Sequence, residues 1–368
     1  MLKQFDVQNF RGFKSRLSFD LSAGDYQFNS SVIKNGIIKN ALVYGMNGSG
    51  KSSLGLALFD IIAHLTDKAQ FQPAVLEPYR NLDMPDNQPA VFRYVISLDC
   101  GEVVYSYEKV ASQVLISELL TLDGRKIVDW NYFDAQRQFV DPEMTNGLTV
   151  ELHDNHLSVI KYLYRNMPTN GIPAITQLVK FVEGMLWYRS LSDGNAFAGF
   201  QNGARLLTDI IAEAGALDDF RRFLAENNLH YNLEFRPVNG QQVLCALFDG
   251  GKKVVPFSMI SSTGTQTLLL FFTWRIAAFD KLTFLFIDEF DAFFHFEAAQ
   301  SILRKINDGS FQSVLTSHNT FLMNNELSRP DACFVIADGE IKNLQRRTNK
   351  AIREGHNLEK MYVNGAFA

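Results

Sequence analysis

The sequence lacks the features that mark membrane-spanning, secreted and disulfide-bonded proteins. Its 368 residues contain no run of about 18 apolar residues, the length that a membrane-crossing helix needs. The first residues, Met1–Asp6, have no signal-peptide pattern. Only three cysteines occur, Cys100, Cys245 and Cys333, and their spacing fits neither a disulfide framework nor a metal site. We therefore expect a cytoplasmic protein in a reducing compartment, with no membrane partner segment.

A strong excess of charge of either sign is also missing. The chain has 35 Lys and Arg against 40 Asp and Glu, a net charge of −5, which argues against a dedicated nucleic-acid coat but not against a local basic patch. Hydrophobic residues make up 46% and charged residues 20%, so a packed core is expected and disorder is not. This length suits two domains, or one large domain with an insertion.

Residues 1–150 are predicted to form a first lobe that is rich in strands. Alternating apolar and polar residues indicate two antiparallel strands at the start, and a short apolar strand follows. Apolar spacing then predicts one helix over residues 52–65. Turns separate three further strands, which predicts an antiparallel sheet. The predicted strands span residues 2–10, 16–21, 40–44, 91–98, 103–110 and 113–122.

Residues 151–230 differ from their surroundings because their apolar residues recur with helical spacing. We interpret them as a helical insertion with helices over 156–167, 174–188, 204–214 and 217–227. Residues 231–368 alternate strands with helices, which predicts a second lobe whose strands join strand 40–44 in a parallel sheet. The expected fold class is α/β, with a mixed parallel sheet, an antiparallel β-subdomain and a helical insertion. The predicted elements of the second lobe are strands over 231–236, 242–248, 283–287, 313–315, 333–336 and 340–344 and helices over 267–279 and 297–306.

The strongest motif runs from Gly45 to Ser52 between a predicted strand and a predicted helix. Its glycines let the backbone N–H groups face phosphate oxygens, and the helix adds its positive N-terminal end. Lys51 would reach the β- and γ-phosphates, and the Ser52 hydroxyl would hold Mg²⁺. The alternative is a glycine-rich turn without a ligand, but the strand before and the helix after favour a phosphate loop. The predicted nucleotide-binding residues here are Asn47, Gly48, Ser49, Gly50, Lys51, Ser52 and Ser53.

Two later strands end in polar residues. Phe284–Ile287 delivers Asp288 and Glu289 to the carboxyl edge of a parallel sheet, where ligands bind in open α/β folds. Asp288 would hold Mg²⁺, and Glu289 would orient the attacking water. Alternatively, Asp288 caps a helix and Glu289 is solvated. About 30 residues later His318 follows another strand and would donate to the γ-phosphate, although a histidine there is often structural.

A fourth motif, Ser262, Thr263, Gly264, Thr265 and Gln266, opens a predicted helix. Small hydroxyl residues and glycine at a helix N-terminus suit an anion. The alternative is an ordinary N-cap, in which a hydroxyl accepts from the first turn, and taken by itself this reading is the stronger one.

The four motifs occur in one order, and in that order the chain resembles the ABC-type ATPases. More narrowly, it looks like the branch that contains SMC, RecF and OLD-family proteins, and the resemblance covers roughly residues 1–125 and 231–368. The tail from Arg353 to Phe367 is similar to stand-alone bacterial ATPases, several of which belong to abortive-infection and other anti-phage systems. The segments that carry the narrower resemblance are Val7–Phe13, Leu42–Ser53 and Ile287–Asp291.

This resemblance implies a P-loop NTPase fold of ABC type that takes ATP and Mg²⁺. It implies a head-to-head homodimer or higher homo-oligomer, in which ATP lies between Lys51 of one subunit and residues 262–266 of the other. Glu289 would be the general base and His318 the switch histidine, with Asp291 at the dimer interface.

The chain departs from the family pattern in several places. Thr263 and Thr265 stand where many relatives carry Ser and Gly. The family's Q-loop glutamine is not located, and Gln72 and Gln88 are candidates only. A cluster of Phe290, Phe293, Phe294 and Phe296 beside the catalytic strand belongs either to the core or to a subunit contact.

We expect neither an SMC-type coiled-coil arm, since no long heptad run occurs, nor an OLD-type nuclease domain, since only a short tail follows the last predicted strand. We therefore expect a separate effector protein, a toxin or a nuclease. The ATPase would act as sensor and scaffold in an anti-phage system, and would hold or release this effector during infection. The alternative is a DNA-repair ATPase similar to RecF that clamps DNA on dimerisation. A basic stretch is either a solvated face or a contact with DNA or an acidic partner. A nucleotide-binding protein without turnover is the weakest reading, since Glu289 argues against it. The basic residues are Lys342, Arg346, Arg347, Lys350 and Arg353.

Overall fold

A computed structural model describes residues 1–68, 76–145, 150–167, 171–189, 197–199, 207–238 and 241–367. The strands are β1 (Leu2–Gln8), β2 (Leu17–Asp20), β3 (Ile33–Lys34), β4 (Ile37–Ile38), β5 (Asn40–Tyr44), β6 (Ala90–Leu98), β7 (Gly101–Ala111), β8 (Val114–Leu122), β9 (Arg125–Asn131), β10 (Gln138–Val140), β11 (Met185–Arg189), β12 (Phe197–Gly199), β13 (Leu233–Val238), β14 (Gln241–Phe248), β15 (Lys253–Pro256), β16 (Phe284–Asp288), β17 (Gln312–Ser317), β18 (Cys333–Ala337) and β19 (Glu340–Asn343). The helices are α1 (Lys51–Leu58), α2 (Ile62–Leu65), α3 (Pro142–Thr145), α4 (Val159–Asn166), α5 (Pro173–Glu183), α6 (Leu207–Glu213), α7 (Leu217–Glu226), α8 (Phe257–Ile260), α9 (Thr263–Ala278), α10 (Phe296–Asn307) and α11 (Leu358–Val363).

The first lobe carries an antiparallel sheet in the order β10-β9-β8-β7-β6-β1-β2. This confirms the antiparallel β-subdomain and adds two strands, β9 and β10, that the sequence pattern did not indicate. Asn9 fixes the entry to the sheet, because its buried side chain donates to the carbonyls of Gln88 and Pro89, at 2.9 and 3.2 Å. Phe10 next to it packs edge-on against Tyr79 and Phe92.

The central sheet has the order β12-β11-β16-β17-β5-β18-β19. Strands β11, β16, β17, β5 and β18 run parallel, and the edge strands β12 and β19 are antiparallel to their neighbours. Every residue of β5, β16 and β17 is buried, which suits parallel strands that are covered on both faces. The predicted α/β fold with a mixed parallel sheet is therefore confirmed.

Alternation along β5 connects the two hydrophobic cores of the protein. Ala41 and Val43 point into a core shared with the antiparallel sheet and α1, whereas Leu42 and Tyr44 point into a core formed with α9 and α10. Successive side chains of a strand point to opposite faces, so a short apolar strand fills both cores at once. The loop that follows β5 thus starts from a strand held rigidly on both sides.

The helix predicted over residues 174–188 is wrong in its last five residues. Helix α5 ends at Glu183, Gly184 follows, and β11 then pairs in parallel with β16. Met185, Leu186 and Trp187 are all buried, and a short apolar run of this kind fits a buried strand as well as a buried helix. The segment predicted as a helical insertion therefore contains helices and also contributes strands to the central sheet.

The single helix predicted over residues 52–65 is divided into α1 and α2 by a turn. Asp60 lies in that turn, and its buried carboxylate accepts from Lys109 Nζ at 2.7 Å and from the hydroxyls of Tyr79 and Tyr107. A small antiparallel sheet, β13-β14-β15, is followed directly by α8 and α9, and neither β15 nor α8 was predicted. The first three residues of the helix predicted over 204–214 lie outside the described residues.

Candidate functional site

The loop between β5 and α1 has the backbone that its glycines predict. Gly48 and Gly50 adopt φ of 76° and 105°, values that side chains rarely tolerate. A Cβ on Gly45 would lie 2.7 Å from the carbonyl oxygen of Ile336, and one on Gly50 would lie 2.9 Å from the Phe13 ring. The loop therefore packs closely between the end of β18 and the segment after β1, and neither glycine could be replaced without a clash.

Lys51 begins α1 and is almost fully buried. Its Nζ donates back to the loop, to the carbonyl oxygens of Gly45 and Met46 at 2.7 and 3.0 Å. Burial lowers the pKa of Lys51, while the carboxylates of Asp288 and Glu289 act against this shift. These contacts hold the ammonium group inside the loop, where a phosphate cradle needs it.

Asp288 ends β16 and is fully buried. Its Oδ1 accepts from Thr316 Oγ1 at 2.7 Å, whereas its Oδ2 accepts no hydrogen bond within the described parts of the chain. Arg189 Nε lies 3.4 Å from that Oδ2. A buried carboxylate oxygen that accepts no hydrogen bond fits Mg²⁺, which prefers oxygen ligands. The described residues contain no cluster of three or more His, Cys, Asp or Glu side chains that could hold a metal by themselves.

Glu289 follows Asp288 with a backbone φ of 52°, which is unusual for a residue with a side chain. Its N–H donates to Thr316 Oγ1 at 2.8 Å, so one hydroxyl of β17 fixes both acidic residues. The carboxylate Oε1 faces Arg189 NH2 at 3.2 Å. Outliers of this kind concentrate at functional sites, where the surrounding contacts maintain the strain.

The residues after β17 are joined to the same acidic segment. Ser317 Oγ donates to Asp291 Oδ2 at 2.7 Å and accepts from the N–H of Asn319. Burial raises the pKa of Asp291. His318 between them is exposed, and burial of its ring followed by the nearby Lys51 charge lowers its pKa. A neutral imidazole at pH 7 has one N–H, which is what a donor to a phosphate oxygen requires.

The structure brings most of the predicted site residues onto one cavity of about 440 Å³, which we call the catalytic cavity. The phosphate loop forms one part of the lining, and three residues at the carboxyl ends of central-sheet strands, Arg189, Glu289 and His318, form the other, as expected for ligand sites of open α/β sheets. The buried Asp288 is not among the residues that line the cavity. The lining residues are Asn47, Gly48, Gly50, Lys51, Ser52, Ser53, Arg189, Glu289 and His318.

Sequence reasoning missed Arg189 completely. Its side chain is about one third exposed and contacts both acidic residues, because β11 pairs with β16 in a register that sets Arg189 opposite Asp288. The Q-loop candidates do not take this place. Gln72 lies outside the described residues, and Gln88 lies before β6, where its carbonyl accepts from Asn9.

The predicted signature residues lie elsewhere on the surface. Ser262 is the N-cap of α9, since its Oγ accepts from Thr265 N at 3.3 Å. Ser262, Thr263 and Gln266 are exposed, but Thr265 is buried and its hydroxyl lies 3.0 Å from Ser262 Oγ. A Cβ on Gly264 would meet the carbonyl oxygen of Phe293 at 2.8 Å. The signature helix therefore packs tightly on the segment after Asp288, away from the catalytic cavity of its own chain.

The aromatic cluster beside β16 divides between the core and the surface. Phe290 is buried and Phe294 packs against the second core, whereas Phe293 and Phe296 are 38% and 40% exposed. Phe296 meets the 61%-exposed Phe321 edge-on, with ring centroids 6.1 Å apart. We call the three exposed residues Phe293, Phe296 and Phe321 the phenylalanine face.

Several side chains of the basic stretch are engaged within the chain. Lys342 pairs with Glu340 at 2.5 Å, and Arg346 pairs with Asp20 at 2.7 Å. Arg347 donates to backbone carbonyls, at 3.2 Å to that of Phe367. These contacts favour the reading of a solvated face over a nucleic-acid patch.

A sequence profile matches residues 41–324, most of the chain, and carries the description "AAA domain, putative AbiEii toxin, Type IV TA system". The chain belongs to this AAA family. The membership confirms the predicted resemblance to AAA-family ATPases of abortive-infection systems. The matched span begins with β5 and includes the phosphate loop, Arg189, the signature helix, both acidic residues and His318. No curated protein matches the chain in sequence.

Solved structures of similar fold include several ATPase heads. The SMC head domain from Thermotoga maritima is 14% identical, with 93% of this chain and 97% of that chain covered and a TM-score of 0.43. The SmcHead bound to the C-winged helix domain of ScpA is 14% identical, with 94% and 98% covered and a TM-score of 0.49. The recombination mediator RecF with ATP is 14% identical, with 94% and 99% covered and a TM-score of 0.43. The family membership rests on the sequence match.

The described residues contain no helix that is long and apolar enough to cross a membrane.

Proposed function

We propose that the protein binds ATP with Mg²⁺ and hydrolyses it to ADP and phosphate. The observation that carries this proposal is the catalytic cavity, on which a phosphate loop faces a carboxylate, a histidine and an arginine. Each of these groups suits one part of a triphosphate: the loop and Lys51 its negative oxygens, Glu289 an attacking water, and His318 the terminal phosphate. Together they favour turnover over a purely nucleotide-binding role.

The buried Asp288 and the Ser52 hydroxyl would hold Mg²⁺, with Oδ2 of Asp288 as the ligand that has no hydrogen-bond donor. When Mg²⁺ is bound, it would neutralise negative charge on the phosphate oxygens. Thr316 keeps Asp288 and Glu289 in fixed positions through two hydrogen bonds of 2.7 and 2.8 Å. Glu289 would then accept a proton from water, a role that suits a carboxylate lying at the open end of the cavity.

Turnover is proposed to need a second subunit. Residues 262–266 lie outside the catalytic cavity of their own chain, and three of them are exposed at the start of the long helix α9. A helix of 16 residues has an N-terminus suited to an anion. In a head-to-head dimer this end would meet the phosphates bound by the other chain, and the phenylalanine face would lie beside it.

The Glu289→Gln variant tests the catalytic part of the proposal. It keeps the size of the side chain but removes its basicity, so we expect ATP binding to persist while turnover falls by about a hundredfold or more. Phosphate release and bound nucleotide are measured with and without EDTA. Lys51→Ala is the comparison and should lose nucleotide binding itself. Unchanged turnover in Glu289→Gln would remove the general-base assignment.

In the cell we propose that this ATPase acts as a sensor and scaffold of anti-phage defence, controlling a separate effector. The family description, which names a toxin of a type IV toxin–antitoxin system, supports a defence role. Co-purification with the products of neighbouring genes, together with phage plating on a deletion strain, tests it. If no neighbour co-purifies and phage sensitivity stays unchanged, the defence role is wrong. ATP-dependent DNA binding with a steep salt dependence would instead support the DNA-clamp alternative.

A further inference from the structure

A second and larger cavity, of about 880 Å³, also borders the phosphate loop, and we call it the tail cavity. Asn47, Gly48, Gly50 and Ser53 line both it and the catalytic cavity. A ligand whose phosphates follow the loop therefore has its remaining part at the entrance of the tail cavity. The far wall is built by the C-terminal segment, residues 357–367, which we call the tail.

The chemistry of the tail cavity differs from that of the catalytic cavity. Phe13 and Ile336 supply apolar wall on one side, and Tyr362 and Val363 of the tail supply it on the other. Val363 is 70% exposed, which is a high exposure for an apolar side chain that lines a concavity. Asp338 adds a carboxylate at the turn after β18. Aromatic and apolar walls suit a planar base, and a carboxylate suits the hydroxyl groups of a ribose, whereas it would repel phosphate.

The tail is held in place by several independent contacts. Asn357 caps α11, and Leu358 and Phe367 are buried. The helix ends in a left-handed turn at Gly365, with φ of 74° and a hydrogen bond of 2.9 Å from the N–H of Ala366 to the carbonyl of Met361. This turn directs the chain back towards the protein, where Arg347 NH1 donates to the carbonyl of Phe367 at 3.2 Å. The wall is thus preformed rather than loose.

We infer that the tail cavity takes the nucleoside half of ATP, and that the tail retains it there. This inference rests on the proposed function, since it assigns the rest of the molecule whose phosphates the loop would bind. Tyr362 and Val363 are the tail residues that contact the base, and Asp338 accepts from the ribose. Retention of the nucleoside therefore depends on a segment more than 300 residues beyond the phosphate loop in the chain.

The test compares two probes, Mg²⁺-ATP and Mg²⁺ with inorganic tripolyphosphate, by isothermal titration calorimetry on the full chain. Tyr362→Ala should weaken ATP binding by about tenfold, the usual scale for loss of one aromatic stacking partner, and leave tripolyphosphate binding unchanged. Val363→Asn should weaken ATP binding by about threefold through loss of apolar contact. The matched control is Val254→Asn, an exposed valine of β15 that lines neither cavity and should change nothing.

The outcomes separate the two proposals. If the unmodified protein binds neither probe, the proposed function fails. If it binds ATP and loses it in Lys51→Ala, but Tyr362→Ala and Val363→Asn bind both probes normally, only the assignment of the tail cavity is overturned. Equal weakening of ATP and tripolyphosphate would overturn it as well, because the tail would then act on the phosphates. Thermal unfolding of each variant shows whether a tail substitution merely unfolds the protein. If Tyr362→Ala does so, the Val363→Asn variant provides the test, because Val363 is exposed.

Discussion

At the scale of single residues, Arg189 is the least expected member of the catalytic cavity. Its guanidinium faces Glu289 at 3.2 Å and Asp288 at 3.4 Å, so it neutralises part of the charge of two adjacent carboxylates. Without a cation, two such carboxylates repel each other and the phosphates of a substrate. We interpret Arg189 as a positioning residue that holds Glu289 in line and adds positive charge at the site where the terminal phosphate would lie.

Arg189→Ala should therefore lower kcat by about a hundredfold while KM for ATP changes much less, because phosphate binding rests mainly on the loop and Lys51. Arg189→Lys should recover part of kcat, since it restores the charge without the forked geometry. Steady-state phosphate release measures both constants. Arg222→Ala, which removes an arginine that is 71% exposed on α7, is the control. A KM effect as large as the kcat effect would make Arg189 a binding residue instead.

Three parts of the site were predictable, because each is a short motif that directly follows a strand: the phosphate loop, Asp288-Glu289 and His318. Their meeting on one cavity follows from the rule that parallel strands carry ligands at their carboxyl ends. Arg189 was not predictable by the same means, because its role depends on a strand pairing over about 100 residues of sequence. Thr316, which links the two acidic residues, is equally invisible without the register of β16 and β17.

At the scale of elements, the break between α1 and α2 connects the phosphate-loop helix to the antiparallel sheet. Asp60 in the break pairs with Lys109 of β7 at 2.7 Å, and both side chains are fully buried. Burial lowers the pKa of Lys109, while Asp60 acts against that shift. A buried ion pair gains little overall, but removing one partner leaves an uncompensated charge in the core.

Lys109→Met should accordingly lower the free energy of unfolding by about 3–5 kcal/mol, because Asp60 then remains buried without its cation. Chemical denaturation monitored by circular dichroism measures the change. Lys126→Met, which removes the half-exposed partner of Asp129, should cost less than about 1 kcal/mol. The double variant Asp60→Asn/Lys109→Met should regain part of the loss. If Lys109→Met is no more destabilising than Lys126→Met, the pair does not stabilise the junction.

Elements were predictable where periodicity was long and uninterrupted. Strands β6, β7 and β8 alternate over nine or more residues, and the structure has them within a few residues of their predicted bounds. Strand β11 was missed because a run of five residues after a helix, of which the first four are buried, has no period that separates strand from helix. The break between α1 and α2 was missed because it depends on a distant residue. Asp60 in the break pairs with Lys109 of β7, and the local sequence does not reveal this partner.

At the scale of the whole molecule, we propose that the phenylalanine face meets a second copy of the chain. Phe321 is 61% exposed and lies three residues after His318, and the backbone of Phe293 lies close to Gly264 at the start of the signature helix. Exposed apolar surface beside both proposed half-sites is expected if the subunits meet there when ATP is bound.

Phe321→Asp, introduced into the Glu289→Gln variant, should therefore prevent the dimer that ATP stabilises, because it places a charge in a desolvated contact. Sedimentation velocity with and without Mg²⁺-ATP measures the change in mass. Phe133→Asp is the matched control, since Phe133 is 69% exposed between β9 and β10 in the other sheet. A dimer that persists in Phe321→Asp, or one lost equally in both variants, would contradict the proposed face.

The position of β5 in the central sheet has a consequence for how the protein is made. Its two neighbours are β17 and β18, which come from residues 312–317 and 333–337, whereas the antiparallel sheet is complete by residue 140. On the ribosome the first sheet can pair its strands early, but the strand that presents the phosphate loop has no neighbour until residue 317 has emerged and lacks its second neighbour until residue 337 has emerged. Such distant pairings form slowly. The strand that presents the phosphate loop is therefore held on both sides only after residue 337 has been synthesised, long after the antiparallel sheet is complete.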